Sequence, residues 1–206
     1  MNKDEKFVIT INRQYGTGGH DIGAAIAERL GIKLIDKQIL QSVAEKFNMT
    51  EGEMKAIEDR RPSWWDDFVV FYKSFISMDD ELSVNREITS RQLFYAQAAA
   101  MKQIAGQESC VVVGRCGFDI FKDYPNKLRL FIHSPRERRI HRINEHYHVN
   151  LDKARVLVED SDYTRETFTK TFTGKDWYDS RNYDLTFDVT PFGVNGAVDF
   201  LMKFIE

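Results

Sequence analysis

The stretch FVITINRQYGTGGHDIG, residues 7–23, decides the fold class of this chain. Its apolar beginning predicts a strand, and the glycine-rich turn that follows, with Gly16, Gly18 and Gly19, leads directly into a helical pattern of apolar residues. Glycine lets backbone N–H groups close around an anion, and the N-terminus of a helix brings a positive dipole end to the same place. Strand, glycine turn and helix together predict a phosphate-binding loop.

This loop departs from the usual phosphate-binding motif, G-x-x-x-x-G-K-[ST]. Arg13 stands at the position of the first glycine, Gly19 replaces the lysine, and His20 replaces the Ser or Thr that helps to hold magnesium. A plain turn between a strand and a helix remains an alternative. The central question is therefore whether a phosphate loop without its lysine still serves an enzyme.

A dinucleotide-binding fingerprint is the main rival interpretation of the same stretch. Gly16 and Gly18 fit G-x-G, and Asp36 lies at a suitable distance along the chain to bind a ribose hydroxyl. The third glycine of that fingerprint is Asp21 here, which would bring an anion to the pyrophosphate. This interpretation predicts binding of NAD(P).

Composition narrows the class of protein. The 206 residues are 42% hydrophobic and 30% charged, which is typical of a globular domain. A net charge of −3 argues against a general nucleic-acid binder. The two cysteines make no disulfide framework, and no apolar run approaches the ~18 residues that a membrane span needs. We therefore expect a soluble cytoplasmic protein with no nucleic-acid or membrane partner.

Hydrophobic periodicity predicts strands that alternate with helices, and hence a three-layer α/β fold with a mainly parallel sheet of about five strands. The strands are expected at 7–12, 32–35, 110–113, 128–133 and 184–189, and the helices at 19–30, 36–47, 51–60, 85–105, 135–147, 150–168 and 194–205.

Charged residues at strand ends point to a ligand site. Ligands of parallel sheets bind at the carboxyl ends of the strands, which places the 13–19 loop, Asp36 and Arg115 along one edge. Arg115 follows the buried run at 110–113 and either pairs with an acid or binds an anionic ligand, because an arginine fork suits phosphate.

Two further pairs of charged residues lie on predicted helices. Arg138 and Arg142 are four residues apart and share a helix face, where they either bind an anion or form an ordinary solvated surface. Asp162 and Arg165 are three residues apart on the next helix, a spacing that also suits a simple ion pair. Four histidines at 133, 141, 146 and 148 lack a settled metal-ligand spacing, so no protein metal ligand is assigned.

Aromatic residues are dense at 63–82, SWWDDFVVFYKSFISMDDEL. Their helical spacing favours a helix that packs as a flap or a partner face, and ring stacking on a base is the alternative. A homodimer interface is one of the roles open to this stretch.

Taken together, these residues resemble the cytidylate kinase-like branch of the P-loop nucleoside monophosphate kinases. The resemblance is strongest at ITINRQYGTGGHDIG, at VVVGRC (111–116) and in the arginine-rich helix with its Asp-x-x-Arg follower. It implies a single domain, 1–206, with a core at 1–49 and 109–206. It also implies a helical insert on the acceptor side at about 50–108 and a lid at about 136–170.

The resemblance implies ATP-dependent phosphoryl transfer to a nucleoside monophosphate, CMP- or dCMP-like, or to a related small acceptor, with Mg²⁺ accompanying ATP. Arg13 is our candidate to replace the missing lysine, because its side chain leaves the strand end beside the loop. The expected roles are as follows: phosphate binding by Gly16, Thr17, Gly18, Gly19, His20 and Asp21; catalysis by Arg13, Arg138, Arg142 and Arg165; acceptor binding by Asp36, Arg115 and Asp162. A nucleotide-binding protein of the same fold without kinase activity is the alternative, because the lysine and the loop hydroxyl are both replaced.

Overall fold

The computed structural model describes residues 1–36 and 90–205. The strands of this part are β1 (Val8–Arg13), β2 (Lys33–Ile35), β3 (Cys110–Val113), β4 (Lys127–His133) and β5 (Leu185–Asp188). The helices are α1 (Gly19–Leu30), α2 (Ser90–Gln107), α3 (Gly117–Ile120), α4 (Arg136–Tyr147), α5 (Leu151–Thr173) and α6 (Gly193–Ile205), with one 3₁₀ turn at Ser180–Asn182.

The five strands form one parallel sheet in the order β2-β3-β1-β4-β5. The predicted three-layer α/β fold is therefore confirmed. β1 lies at the centre, where Ile9 is paired with Val111 on one side and Leu128 on the other. All residues of β1 and β3 are buried, as expected for strands that helices cover on both faces.

The strand order also bears on the rival interpretation. In the dinucleotide-binding order, 3-2-1-4-5-6, β1 lies beside β2. Here β3 is inserted between them, so the chain leaves β1, crosses over β3 and enters β2 at the sheet edge. The two neighbours of β1 in the sheet are β3 on one side and β4 on the other, and the chain continues from them toward opposite edges of the sheet. The loop after β1 therefore lies at a topological switch point, where sheets of this kind bind ligands.

Two apolar layers hold the sheet. Residues of α1 and α6 pack on one face, and residues of α2, α3 and α5 pack on the other. Gly23 brings α1 close to the sheet, because a Cβ there would lie 2.6 Å from Cγ2 of Val113. This close packing holds the first turn of α1 over the carboxyl ends of the central strands.

The structure differs from the predicted elements in three places. The predicted helix at 85–105 is Ser90–Gln107 within the described residues, and it packs into the core through Phe94 and Met101. α5 runs five residues past the predicted end, to Thr173, where Gly174 caps it with φ of +71°. The short helix α3 was not predicted, because four residues carry no periodicity. The predicted helices at 36–47 and 51–60 and the aromatic stretch at 63–82 lie essentially outside the described residues.

Within residues 1–36 and 90–205, no helix combines the length and the apolar character that crossing a bilayer would require.

Candidate phosphate-binding site

The glycine loop joins β1 to α1 through residues 14–18. Gly16 and Gly18 have φ of +83° and +77°, in the left-handed region that glycine adopts without strain. Gly18 caps α1 and has no side chain to cover the first N–H groups of the helix. The conformation is therefore that of an anion cradle at a helix N-terminus.

Close neighbours also require glycine at this turn. A Cβ on Gly18 would lie 2.7 Å from Cγ2 of Val194 and 2.9 Å from Nη2 of Arg142. A Cβ on Gly19 would lie 2.6 Å from Cγ of Arg13. The stem of Arg13 thus runs directly beneath the start of α1, and Arg142 approaches the loop from above.

A cavity of about 290 Å³ opens beside the glycine loop. The loop and the first turn of α1 form one wall, and the last turns of α4 form another. Its lining consists of Arg13, Gln14, Tyr15, Gly16, Gly18, Gly19, His20, Asp21, Arg142, Ile143, His146, Tyr147 and Arg165.

A second, smaller cavity of about 30 Å³ lies at the end of β3, beside Arg115. The turn that carries Arg115 is strained, because Gly114, Arg115 and Cys116 have consecutive φ values of +77°, +57° and +54°. Arg13 and Arg165 line this cavity as well as the larger one. The two arginines therefore stand between the glycine loop and Arg115.

Burial disfavours the charged forms of Arg13 and Arg165, the two arginines that line both cavities. Burial lowers the pKa of Arg165 to about 10, although the nearby Asp162 acts in the opposite direction. The pKa of Arg13 lies well below its ordinary value, first because of burial and then because of the positive charges of Arg165 and Arg115. Asp36 and Asp162 offset only part of this effect. An anion bound among these arginines would relieve their repulsion.

Asp36, at the end of β2, contacts the loop helix directly. Its Oδ2 lies 2.8 Å from Nε2 of His20, and both side chains are partly exposed. The residue that replaces the loop hydroxyl is thus held by the residue that was predicted to bind the acceptor.

Of the two arginines predicted on one face of α4, the structure brings Arg142 to the glycine loop. Arg142 is partly exposed, and its Nη2 donates to Oδ2 of Asp21 at 3.0 Å across the mouth of the larger cavity. Arg138 is exposed and lies outside both cavity linings. Its catalytic role stays a prediction.

Asp162 lies outside both cavity linings, and it is buried within α5. Its Oδ1 accepts the backbone N–H of Tyr15 at 2.7 Å, and its Oδ2 accepts Nη1 of Arg139 at 2.5 Å. These contacts tie it to the glycine loop, and its predicted role toward the acceptor stays a prediction.

Sequence reasoning missed Arg139 and Tyr15. Arg139 is the buried arginine of the RERRIHR run, and its neighbour Ile140 on the inward face was the available signal. Tyr15 is the one aromatic residue of a loop otherwise made of small and polar residues, and its ring packs with Ile140 and Ile143. From the sequence alone, neither signal shows whether Arg139 and Tyr15 serve only to pack the fold or also contribute to the site, because that depends on how the helices lie against the loop.

Oxygen ligands for a magnesium ion are few in this loop. Among residues 1–36 and 90–205, no three His, Cys, Asp or Glu side chains converge in a way that would hold a metal. Thr17 and Asp21 offer oxygen atoms, but Oγ1 of Thr17 donates to the Gln14 carbonyl at 2.9 Å and Asp21 pairs with Arg142. A magnesium ion here would depend mainly on water and on the phosphates it accompanies.

Comparison with solved structures shows that other proteins share this fold. An uncharacterized protein from Eubacterium ventriosum aligns with a TM-score of 0.70 at 23% identity, over 97% of this chain and 98% of that one. A gluconokinase from Sinorhizobium meliloti aligns with a TM-score of 0.52 at 16% identity, over 97% and 95%. A shikimate kinase from Acinetobacter baumannii in complex with shikimate aligns with a TM-score of 0.50 at 10% identity, over 97% and 92%. Likeness at these identities shows the fold.

The comparison with curated proteins gave no match. The family model described as the cytidylate kinase-like family matches residues 8–191, which confirms the resemblance seen in the glycine loop and the VVVGRC turn. The chain belongs to the cytidylate kinase-like family.

Proposed function

We propose that this protein transfers a phosphoryl group from ATP to a small anionic acceptor, with CMP or dCMP as the acceptor that its family suggests. The observation that carries the proposal is that Arg13 and Arg165 line both the glycine-loop cavity and the cavity beside Arg115. A phosphoryl group that moves between two bound anions would pass the cations common to both sites.

The glycine loop would hold the donor. Backbone N–H groups from Gly16 to His20 would surround the ATP phosphates, aided by the dipole of α1. Arg142 would exchange its contact with Asp21 for a phosphate oxygen. Magnesium bound to ATP supplies charge neutralisation, and Thr17 and Asp21 are the residues of the loop that would contact it.

The buried arginines would stabilise the charge that develops during transfer. Arg13 would act in place of the lysine, because its stem passes beneath Gly19, the position that the lysine occupies in the usual motif. Arg165 would contact the same phosphoryl group from α5. Cations in such positions contribute about 10³–10⁵-fold in rate. Arg138 is exposed and lies outside both cavity linings, so it would reach the phosphoryl group only through a different side-chain conformation.

The acceptor would lie between Arg115 and Asp36. Arg115 beside the small cavity suits an anionic group, such as the phosphate of a nucleoside monophosphate. Asp36 at the end of β2 would accept a hydrogen bond from the acceptor. Contacts that identify a base are expected from the insert predicted at 50–108.

An acceptor screen tests this proposal. ADP formation is measured with ATP and a panel of nucleoside monophosphates and small phosphorylated or carboxylated compounds, for wild type, Arg13→Ala, Arg115→Ala and Arg29→Ala. We expect Arg13→Ala to lower kcat by about 10³-fold and Arg115→Ala to raise the KM of the acceptor. Arg29→Ala is the matched control, because Arg29 lies in the last turn of α1 and pairs with Asp199.

The outcomes separate the proposal from its rival. Full activity of Arg13→Ala would show that Arg13 does not replace the lysine. Tight ATP binding by wild type with no turnover on any acceptor would favour a nucleotide-binding protein without kinase activity. That second candidate is supported by Gly19 and His20 at the positions of the lysine and the hydroxyl, and by the engagement of His20 with Asp36.

A further inference from the structure

The backbone of the glycine loop is held by the helical hairpin α4–α5. Its Tyr15 N–H donates to Asp162 at 2.7 Å, and its Tyr15 carbonyl accepts Nη1 of Arg139 at 3.0 Å. Two residues earlier, the carbonyl of Arg13 accepts Nη1 of Arg165 at 3.1 Å. Three polar backbone groups at the start of the loop are thus satisfied by side chains of α4 and α5.

The side chains that make these contacts are buried and paired. Asp162 and Arg139 are 8% and 5% exposed, and they form an ion pair at 2.5 Å. Nε of Arg139 also donates to the Ser134 carbonyl at 3.0 Å, which directs the guanidinium toward the loop. Arg165 is a second, longer partner of Asp162, with Nη1 3.6 Å from Oδ1. Breaking the shorter pair would leave the buried Arg139 without a carboxylate in a dry environment, which is costly.

The packing of the loop agrees with these hydrogen bonds. A Cβ on Gly16 would lie 2.9 Å from the Arg139 carbonyl, so the loop meets the backbone of α4 directly. The Tyr15 side chain belongs to one small buried cluster with Ile140 and Ile143 of α4 and Ala154 of α5. Burial raises the pKa of Tyr15, and a hydrogen bond to Tyr147 raises it further. Both the ring and the backbone of Tyr15 are therefore fastened to the hairpin.

We infer that Asp162 and Arg139 are positioning residues for phosphate binding, which hold the glycine loop in its cradle conformation through the backbone of Tyr15. The inference rests on the proposed function for its ligand, a polyphosphate. Arg139 and Asp162 lie within the predicted lid, at about 136–170. The inference implies that the part of the lid around these two residues moves only together with the glycine loop.

Amide hydrogen exchange and phosphate binding test this role together. The first variant is Asp162→Asn, which keeps an acceptor for Tyr15 but removes the charge opposite Arg139 and beside Arg165. The second is Arg139→Lys, which leaves Asp162 and Arg165 unchanged but replaces the guanidinium, with its several N–H donors, by a single ammonium group. Asp160→Asn, an exposed carboxylate on the same helix, is the matched control. Exchange in residues 14–19 is measured by mass spectrometry, and binding of inorganic tripolyphosphate is measured by calorimetry.

We expect exchange in residues 14–19 to increase about tenfold or more in Asp162→Asn, and tripolyphosphate affinity to fall by about the same factor, since a tenfold change in an equilibrium constant corresponds to about 1.4 kcal/mol. Exchange in β1, β3 and β4 should stay as in wild type. Arg139→Lys should show the same changes to a smaller degree, and Asp160→Asn should show none.

Wild-type exchange and affinity in both variants would overturn the inference. So would an equal increase of exchange in the loop and the sheet, because that is the signature of a merely structural pair. If Asp162→Asn does not fold, Arg139→Lys is judged by the same two measurements. Hydrogen exchange can be measured without any enzymatic activity. If wild type does not bind tripolyphosphate, the proposed function is contradicted, and exchange in residues 14–19 still decides whether Asp162 and Arg139 hold the loop.

Discussion

Gly18 and Gly31 share a backbone conformation but differ in their surroundings. Both have positive φ, +77° and +63°, yet a Cβ on Gly31 would meet nothing within 4 Å, whereas one on Gly18 would meet Val194 and Arg142. Comparison of the two residues therefore separates the cost of the left-handed conformation from the cost of the close approach at the phosphate site.

We expect Gly31→Ala to lower the free energy of unfolding by about 1–2 kcal/mol, the cost of a left-handed alanine, and to leave ATP binding unchanged. Gly18→Ala should lose about 1–3 kcal/mol more through overpacking, and its affinity for ATP should fall. Urea denaturation and calorimetry measure both effects. Equal behaviour of the two variants would mean that the neighbours of Gly18 move aside without cost.

Arg165 keeps its charge through the ordinary pH range. The pKa of Arg165 is lowered by burial to about 10, from an ordinary 12.5. Because the folded protein binds fewer protons than the unfolded chain between these two values, Arg165 makes stability rise with pH only in that alkaline window. Below it, Arg165 is a constant cation that an anionic ligand can use.

At the scale of elements, a charged pair adds to the strand pairing of β4 and β5: it joins Arg129 of β4 to Asp184, the residue before β5. Asp184 accepts hydrogen bonds from the backbone N–H of Arg129 at 2.8 Å and from its Nη2 at 2.6 Å. Burial would raise the pKa of Asp184, but these hydrogen bonds outweigh it and hold the pKa below its usual range. The stabilisation is therefore present at neutral pH and is lost as pH falls through the lowered pKa.

We expect Asp184→Asn to lower the free energy of unfolding by up to about 1 kcal/mol at pH 7, since the pair is partly exposed. The difference from wild type should shrink as the pH falls through the lowered pKa of Asp184, because the carboxylate is then protonated in wild type too. Asp123→Asn, an exposed carboxylate in a turn, is the control. A pH-independent difference would show that lost packing, and not charge, carries the effect.

Elements that a local apolar pattern marks were predicted well, and those that depend on contacts with distant residues were not. β3 was predicted with its observed bounds because its four apolar residues lie between Ser109 and Gly114, which is typical of a short strand covered on both faces. The extension of α5 to Thr173 was not predicted, because its last turns contain polar residues whose partners are distant in the sequence. Thr169, for example, is buried and accepts a hydrogen bond from Sγ of Cys116.

At the scale of the whole molecule, the strand order and the proposed function together predict which nucleotide stabilises the protein. With ATP at about 100 times its Kd, we expect about 2.7 kcal/mol of stabilisation, which raises the Tm of a protein of this size by roughly 5–10 °C. NAD and NADP should give no shift, because the strand order is not that of a dinucleotide-binding domain. A thermal-shift comparison measures this, and a shift with NAD but none with ATP would contradict the proposed function.

The sequence by itself determined the phosphate loop, the α/β class and the family. Glycine spacing and apolar periodicity are local patterns, so they can be recognised without knowledge of the tertiary contacts. It also identified Arg13, Arg115, Arg142 and Arg165 as candidates for an anion site. Only the tertiary structure decided which of these arginines meet. Arg13 and Arg165 lie 152 residues apart along the chain, and a hydrogen bond joins them behind the glycine loop. Burial and charge repulsion at that point depend on the packing of α5 against β1, and no local pattern in the sequence records that packing.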